Sequence, residues 1–116
     1  MNIRLSIAVM ALALVGCASD PAPIEQFKLT EQALEQARAV GAPDEQPELK
    51  TAEAKFSQAR ADMADGAFKD ARMKAEQAEL DARLAEARVL TLMSQEQADQ
   101  LNSRLNRLRK QLGEGQ

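Results

Sequence analysis

Apolar positions along this chain fall into four stretches with different periods. Leu5 to Val15 (LSIAVMALALV) is an apolar run broken only by Ser6. Ile24, Phe27, Ala33, Leu34, Ala37 and Val40 recur close to every 3.6 residues, which predicts a helix over 24–40. Leu49, Ala52, Phe56, Ala59 and Met63 alternate spacings of three and four, a seven-residue seam on a second helix over 47–65. After Phe68 no Gly or Pro intervenes before Gly113. That stretch predicts a third helix over 67–112, on the order of 65 Å long if continuous. It carries two seams. Ala71, Ala75, Ala78, Ala82, Ala85, Val89 and Leu92 form the first, whose small side chains allow a partner helix to approach closely. Leu80, Leu84 and Ala87 start the second, which resumes as Ala98, Leu101, Leu105, Leu108 and Leu112.

Turn residues stand between these segments. Gly41 is placed to end the first helix as the residue after its cap, and 41–47 reads as a loop. Pro47 suits a first helical position, where its missing N–H would be unpaired anyway, and Glu48 suits the positive helix end. Asp65-Gly66 is turn chemistry that folds the third helix back on the second. The expected fold is all-α: a short N-terminal helix plus an antiparallel helical hairpin with one long, coiled-coil-like C-terminal helix. The helical domain is expected over 24–113. The second helix is too short to reach past Leu92, and the first can cover only part of what remains. Leu101, Leu105, Leu108 and Leu112 therefore face two alternatives. Either the first helix folds over them, or they stay open for self-association or a partner helix.

Composition fits long helices: rich in Ala, Glu, Gln, Lys and Arg, with 3 Phe and neither Tyr nor Trp. The absence of His removes the commonest acid–base side chain and metal ligand. A single Cys allows no intrachain disulfide and no thiolate metal cluster. Most of Glu48, Glu53, Asp62, Glu76, Glu79, Asp81 and Glu86 read as solvated helix faces opposite the seams, with local pairs such as Lys50–Glu53 and Glu79–Arg83. A general acid–base pair needs a pocket that perturbs pKa values, which so thin a bundle does not offer. No Gly-rich phosphate loop, nucleophile elbow or metal-ligand spacing is present. No enzymatic activity, cofactor or metal is expected.

Arg104, Arg107, Arg109 and Lys110 form a basic cluster near the C-terminus. Its plain reading is cations at the negative helix end. Its alternative is contact with anionic headgroups, lipopolysaccharide phosphate or peptidoglycan carboxylates. Without interleaved aromatics it does not suit nucleic-acid stacking. The net charge of −3 points the same way.

The apolar run at 5–15 follows Arg4 and is about half the length a membrane-spanning helix needs, but right for a cleaved leader. It ends in Leu14-Val15-Gly16-Cys17, which resembles the lipobox of bacterial lipoproteins. The resemblance implies a signal peptide over 1–16, cleavage between Gly16 and Cys17, and a diacylglycerol and N-acyl chain covalently held by Cys17. One acyl chain binds a membrane only marginally, whereas two or more hold firmly. Residues 17–23 would then be an acylated, Pro-containing tether, with Pro21 and Pro23 opposing helix formation. Ala18 follows the cysteine in place of the Asp that favours inner-membrane retention. The expected location is the outer membrane, lipid-anchored and facing the periplasm.

The stretch from Val40 to about Arg88 resembles a family of small envelope lipoproteins known only as a domain of unknown function, DUF4398. The likeness is carried by Gly41-Ala42-Pro43, by Pro47-Glu48-Leu49-Lys50-Thr51-Ala52-Glu53-Ala54-Lys55 and by Ala59-Arg60-Ala61-Asp62-Met63. It continues through Ala71-Arg72, Ala75 to Ala82, and Leu84-Ala85-Glu86-Ala87. Members often place an aromatic before the Pro-Glu-Leu stretch, where this chain has Asp44-Glu45-Gln46. Some are fused to a peptidoglycan-binding domain resembling that of outer-membrane protein A, which is expected to be missing here. The resemblance implies an envelope location and a helical fold, and no activity. The expected role is non-enzymatic, as a periplasmic scaffold or docking lipoprotein. The alternative is a module that binds peptidoglycan or lipopolysaccharide through Arg104, Arg107, Arg109 and Lys110.

Overall fold

The computed structural model describes residues 20–113. Gly16 and Cys17 lie outside the described residues, as do the leader and the first part of the tether. The architecture is all-α: α1 (Ile24–Ala39), α2 (Pro47–Ala64) and α3 (Phe68–Gly113). At 46 residues, α3 is about 69 Å long, more than twice the length of either partner.

The helix ends follow from local chemistry. Gly41 takes φ +94° and Gly66 φ +75°, left-handed conformations that Gly adopts without steric penalty. After α1, the Gly41 amide donates to the Arg38 carbonyl and the Ala42 amide to the Ala37 carbonyl. After α2, the Gly66 amide donates to Met63 and the Ala67 amide to Asp62. Both ends are Schellman motifs, which satisfy otherwise orphaned carbonyls and reverse the chain. Pro47 opens α2, where a missing N–H removes nothing.

Ion pairs fix the helix directions. Glu48–Arg88 (2.9 Å), Lys55–Asp81 (2.7 Å) and Asp62–Lys74 (2.8 Å) run in opposite order on α2 and α3, so these two are antiparallel. Glu31–Arg60 (3.0 Å) and Arg38–Glu53 do the same for α1 and α2. Hence α1 lies parallel to the first half of α3, and three helices surround one core. Ala33, Leu34 and Ala37 of α1 meet Leu49, Ala52, Phe56 and Ala59 of α2 and Ala75, Ala78, Ala82 and Ala85 of α3. The α3 alanines are fully buried, so the backbones sit close together. The Phe27 and Phe56 rings, 5.2 Å apart and tilted by 55°, supply the core's aromatic volume, and Arg60 lies 4.4 Å over the Phe56 ring.

The arrangement decides between the two alternatives for the C-terminal leucines. The first helix does not fold over them. The loop after Gly41 returns the chain at once, and the small face of α1 fits the alanine seam of α3, which ends near Ala85. Other expectations also change. Ile24 is 56 % exposed, and the interior place on the first turns of α1 goes to Thr30. Leu92 lies beyond the start of α2 at Pro47 and is exposed. Most of the carboxylates do not stand on solvated faces. Glu48, Glu53, Asp62, Glu79 and Asp81 flank the seams and bind a neighbouring helix. Glu53 pairs with Arg38 of α1 rather than with Lys50.

Candidate interaction surface

Residues 90–113 of α3 are exposed along their whole length, about 36 Å of helix. Within the bundle the buried face of α3 runs through Ala71, Ala75, Ala78, Ala82 and Ala85. Leu80 (67 % exposed) and Leu84 stand on nearly the opposite face. From them, spacings of four and three continue without a break through Ala87, Thr91, Ser94, Ala98, Leu101, Leu105, Leu108 and Leu112. The second seam is therefore one heptad register with short side chains at Ala87, Thr91, Ser94 and Ala98, rather than two patches with a gap. It starts on the outer face of the bundle and runs to the tip of the arm. Leu101, Leu105, Leu108 and Leu112 are all at least half exposed.

Charge is arranged unevenly along this surface. Asp99 is the last described acid, and Arg104, Arg107, Arg109 and Lys110 follow. Among the described residues none of the four makes an ion pair; the ion pairs all lie within the bundle and its edges. Arg104 and Arg109 border the Leu seam, while Arg107 and Lys110 stand away from it. A shallow groove lined by Pro43, Gln46, Pro47, Arg88, Val89 and Leu92 marks where the bundle ends and the arm begins.

The bundle holds its own polar details. The Thr30 hydroxyl is fully buried and lies 2.9 Å from both the Gln26 carbonyl of its own helix and the Ala75 carbonyl of α3. Gln26 donates to Glu79 at 2.7 Å, and Arg83 donates to the other oxygen of the same carboxylate. The Gln26 hydrogen bond, with help from Arg83, outweighs desolvation and holds the Glu79 carboxyl below its usual 4.5. These groups join helices and enclose no cleft. Among the described residues no three His, Cys, Asp or Glu side chains converge on a metal position. No described helix is long and apolar enough to cross a membrane.

Taken together, the residues define a small alanine-cored three-helix bundle that extends one helix as a free, leucine-seamed arm. The chain belongs to the family described as a domain of unknown function, DUF4398, whose model matches residues 25–101. The structure is similar to the crystal structure of a DUF4398 family protein from Pseudomonas aeruginosa PAO1. The two share 58 % sequence identity and a TM-score of 0.79, over 83 % of this chain and 100 % of that one. Among curated proteins none matches this chain.

Proposed function

We propose that this protein is a non-enzymatic, lipid-anchored envelope protein whose bundle acts as a pedestal and whose α3 arm is a docking surface. The observation that carries this reading is the arm itself. Most helical stability in proteins comes from packing an apolar face, and this arm leaves its regularly spaced leucines unpacked in solvent. Such a segment is best accounted for by a partner that covers the leucines. The anchor side rests on Arg4, the apolar run at 5–15 and Leu14-Val15-Gly16-Cys17. Described residues begin just after the cysteine, and α1 starts at Ile24, so a membrane-held Cys17 would leave a tether of only a few residues below the bundle. An acylated Cys17 and a periplasm-facing outer-membrane location follow from this reading.

Intact mass of the membrane-extracted protein, beside a Cys17→Ala variant, tests the anchor. The expected result is a chain that starts at Cys17 and carries added acyl mass, lost in the variant. An unmodified chain would remove the anchor and leave the docking arm to be judged alone.

The four cations near the tip, which make no ion pair among the described residues, favour a second reading, a module that binds peptidoglycan or lipopolysaccharide through Arg104, Arg107, Arg109 and Lys110. Co-sedimentation with purified peptidoglycan or lipopolysaccharide, lost when all four are changed to Ala, would favour it. Binding that survives those changes would rule it out.

A further inference from the structure

The outer seam of α3 carries enough pattern to specify its occupant. We propose that it pairs antiparallel with the same seam of a second copy, with Leu84 of one protomer against Leu108 of the other. This rests on reading the arm as a docking surface and names what docks there.

Layer composition and flanking charge single out this register. With Leu84 opposite Leu108, Leu80 meets Leu112, Ala87 meets Leu105, Thr91 meets Leu101 and Ser94 meets Ala98. Large side chains oppose each other at the ends, short ones oppose leucines further in, and the small Ser94 and Ala98 meet at the centre, where the two helices can approach closely. The positions bordering the seam are Asp81, Arg88, Gln95, Asn102 and Arg109 on one side and Arg83, Leu90, Gln97, Arg104 and Gln111 on the other. In the antiparallel register each side faces itself. Asp81, which also holds Lys55 of α2, then faces Arg109, and Arg88, which also holds Glu48, faces Asn102. On the other side Arg83 faces Gln111, and Leu90 faces Arg104. No like charges meet.

A parallel, in-register pair is disfavoured by the same residues. It sets Arg83 against Arg88 and Arg104 against Arg109 across the interface, four repulsive contacts per dimer once both sides are counted. Sliding the antiparallel pair by one heptad also brings like charges together. One direction opposes Arg88 to Arg109, and the other opposes Arg83 to Arg104. A shift that pairs only Leu101 to Leu112 avoids direct clashes at the seam edge but crowds both basic clusters into one short overlap.

Size and access agree. The seam from Leu80 to Leu112 is about 48 Å long. A strip of that length and about 10 Å width on each copy gives on the order of 1,000 Å² in total, at the threshold of a specific interface. Helices α1 and α2 cover the opposite face of α3, so each bundle leaves its own Leu80 and Leu84 free to receive the other arm.

Disulfide trapping tests the proposal, on the full-length, membrane-extracted protein with Cys17 kept and the parent chain as control. Leu84→Cys and Leu108→Cys chains, mixed and oxidised, should give a covalent heterodimer at least tenfold more abundant than either chain forms with itself. Self-linking of both single variants would establish parallel pairing and overturn the proposal. No linkage in any combination above the parent would overturn it too. A charge reversal adds a second readout. Arg109→Asp should weaken self-association roughly fivefold, whereas Ser103→Asp, on the other side of the arm, should leave it unchanged. A photoreactive residue at Leu101 that captures only chains of another mass would overturn self-pairing while leaving the docking arm intact.

Discussion

At Thr30 a hydroxyl sits on the line where α1 meets α3, with no exposure to solvent. Its single proton serves carbonyls of Gln26 and Ala75, so it ties α1 to a particular height on α3. Thr30→Val keeps the shape and removes the donor. The expected loss is about 1 kcal/mol, read as a lower denaturant midpoint with unchanged slope. Glu79 makes the second tie, through Gln26 and Arg83. Its folded pKa lies below the usual 4.5, so its contribution is fully present above that value and is lost as pH falls through the lowered one. Thermal midpoints of Glu79→Gln and the parent should therefore differ most above about pH 5. They should converge in acid. A gap that widens on acidification would contradict the assignment.

At the scale of elements, the helices and their stops were legible because each was marked by local chemistry. Gly41, Pro47 and Gly66 do in the structure what their residue types predict. Gly66→Ala places a Cβ that touches nothing within 4 Å, so its penalty is purely conformational, about 1 kcal/mol, and Gly66→Asn should lose less. What periodicity did not reveal was the pairing of faces. Thr30 is not an apolar residue, so periodicity points the inner face of α1 towards Ile24 instead. The carboxylates of α2 and α3 read as solvated because a single helix does not show which neighbour stands beside it. Thr91 and Ser94 interrupt the apolar pattern of the outer seam because they are polar, although their spacing keeps the register. The alanine seam itself was plain, and it leaves no room. Ala78→Leu should cost at least about 1–3 kcal/mol and push α3 away from its partners, measured by thermal unfolding.

At the scale of the whole molecule, the protein divides into a bundle that buries its apolar surface and an arm that does not. Stability should divide in the same way. Amides of α3 up to about Val89 should exchange slowly, because opening them breaks the bundle. Amides of 90–113 should exchange orders of magnitude faster in dilute protein and slow as concentration rises. Fast exchange at every concentration would count against self-pairing.

Site-by-site photocrosslinking in intact membranes tests most directly whether the arm's leucine seam is a docking surface. With the photoreactive residue moved along α3 from Ala98 to Leu112, adducts should form at Ala98, Leu101, Leu105, Leu108 and Leu112. They should be missing at Ser103, Arg107 and Lys110 on the other side. Adducts spread evenly around the helix, or none anywhere along the arm, would contradict the account.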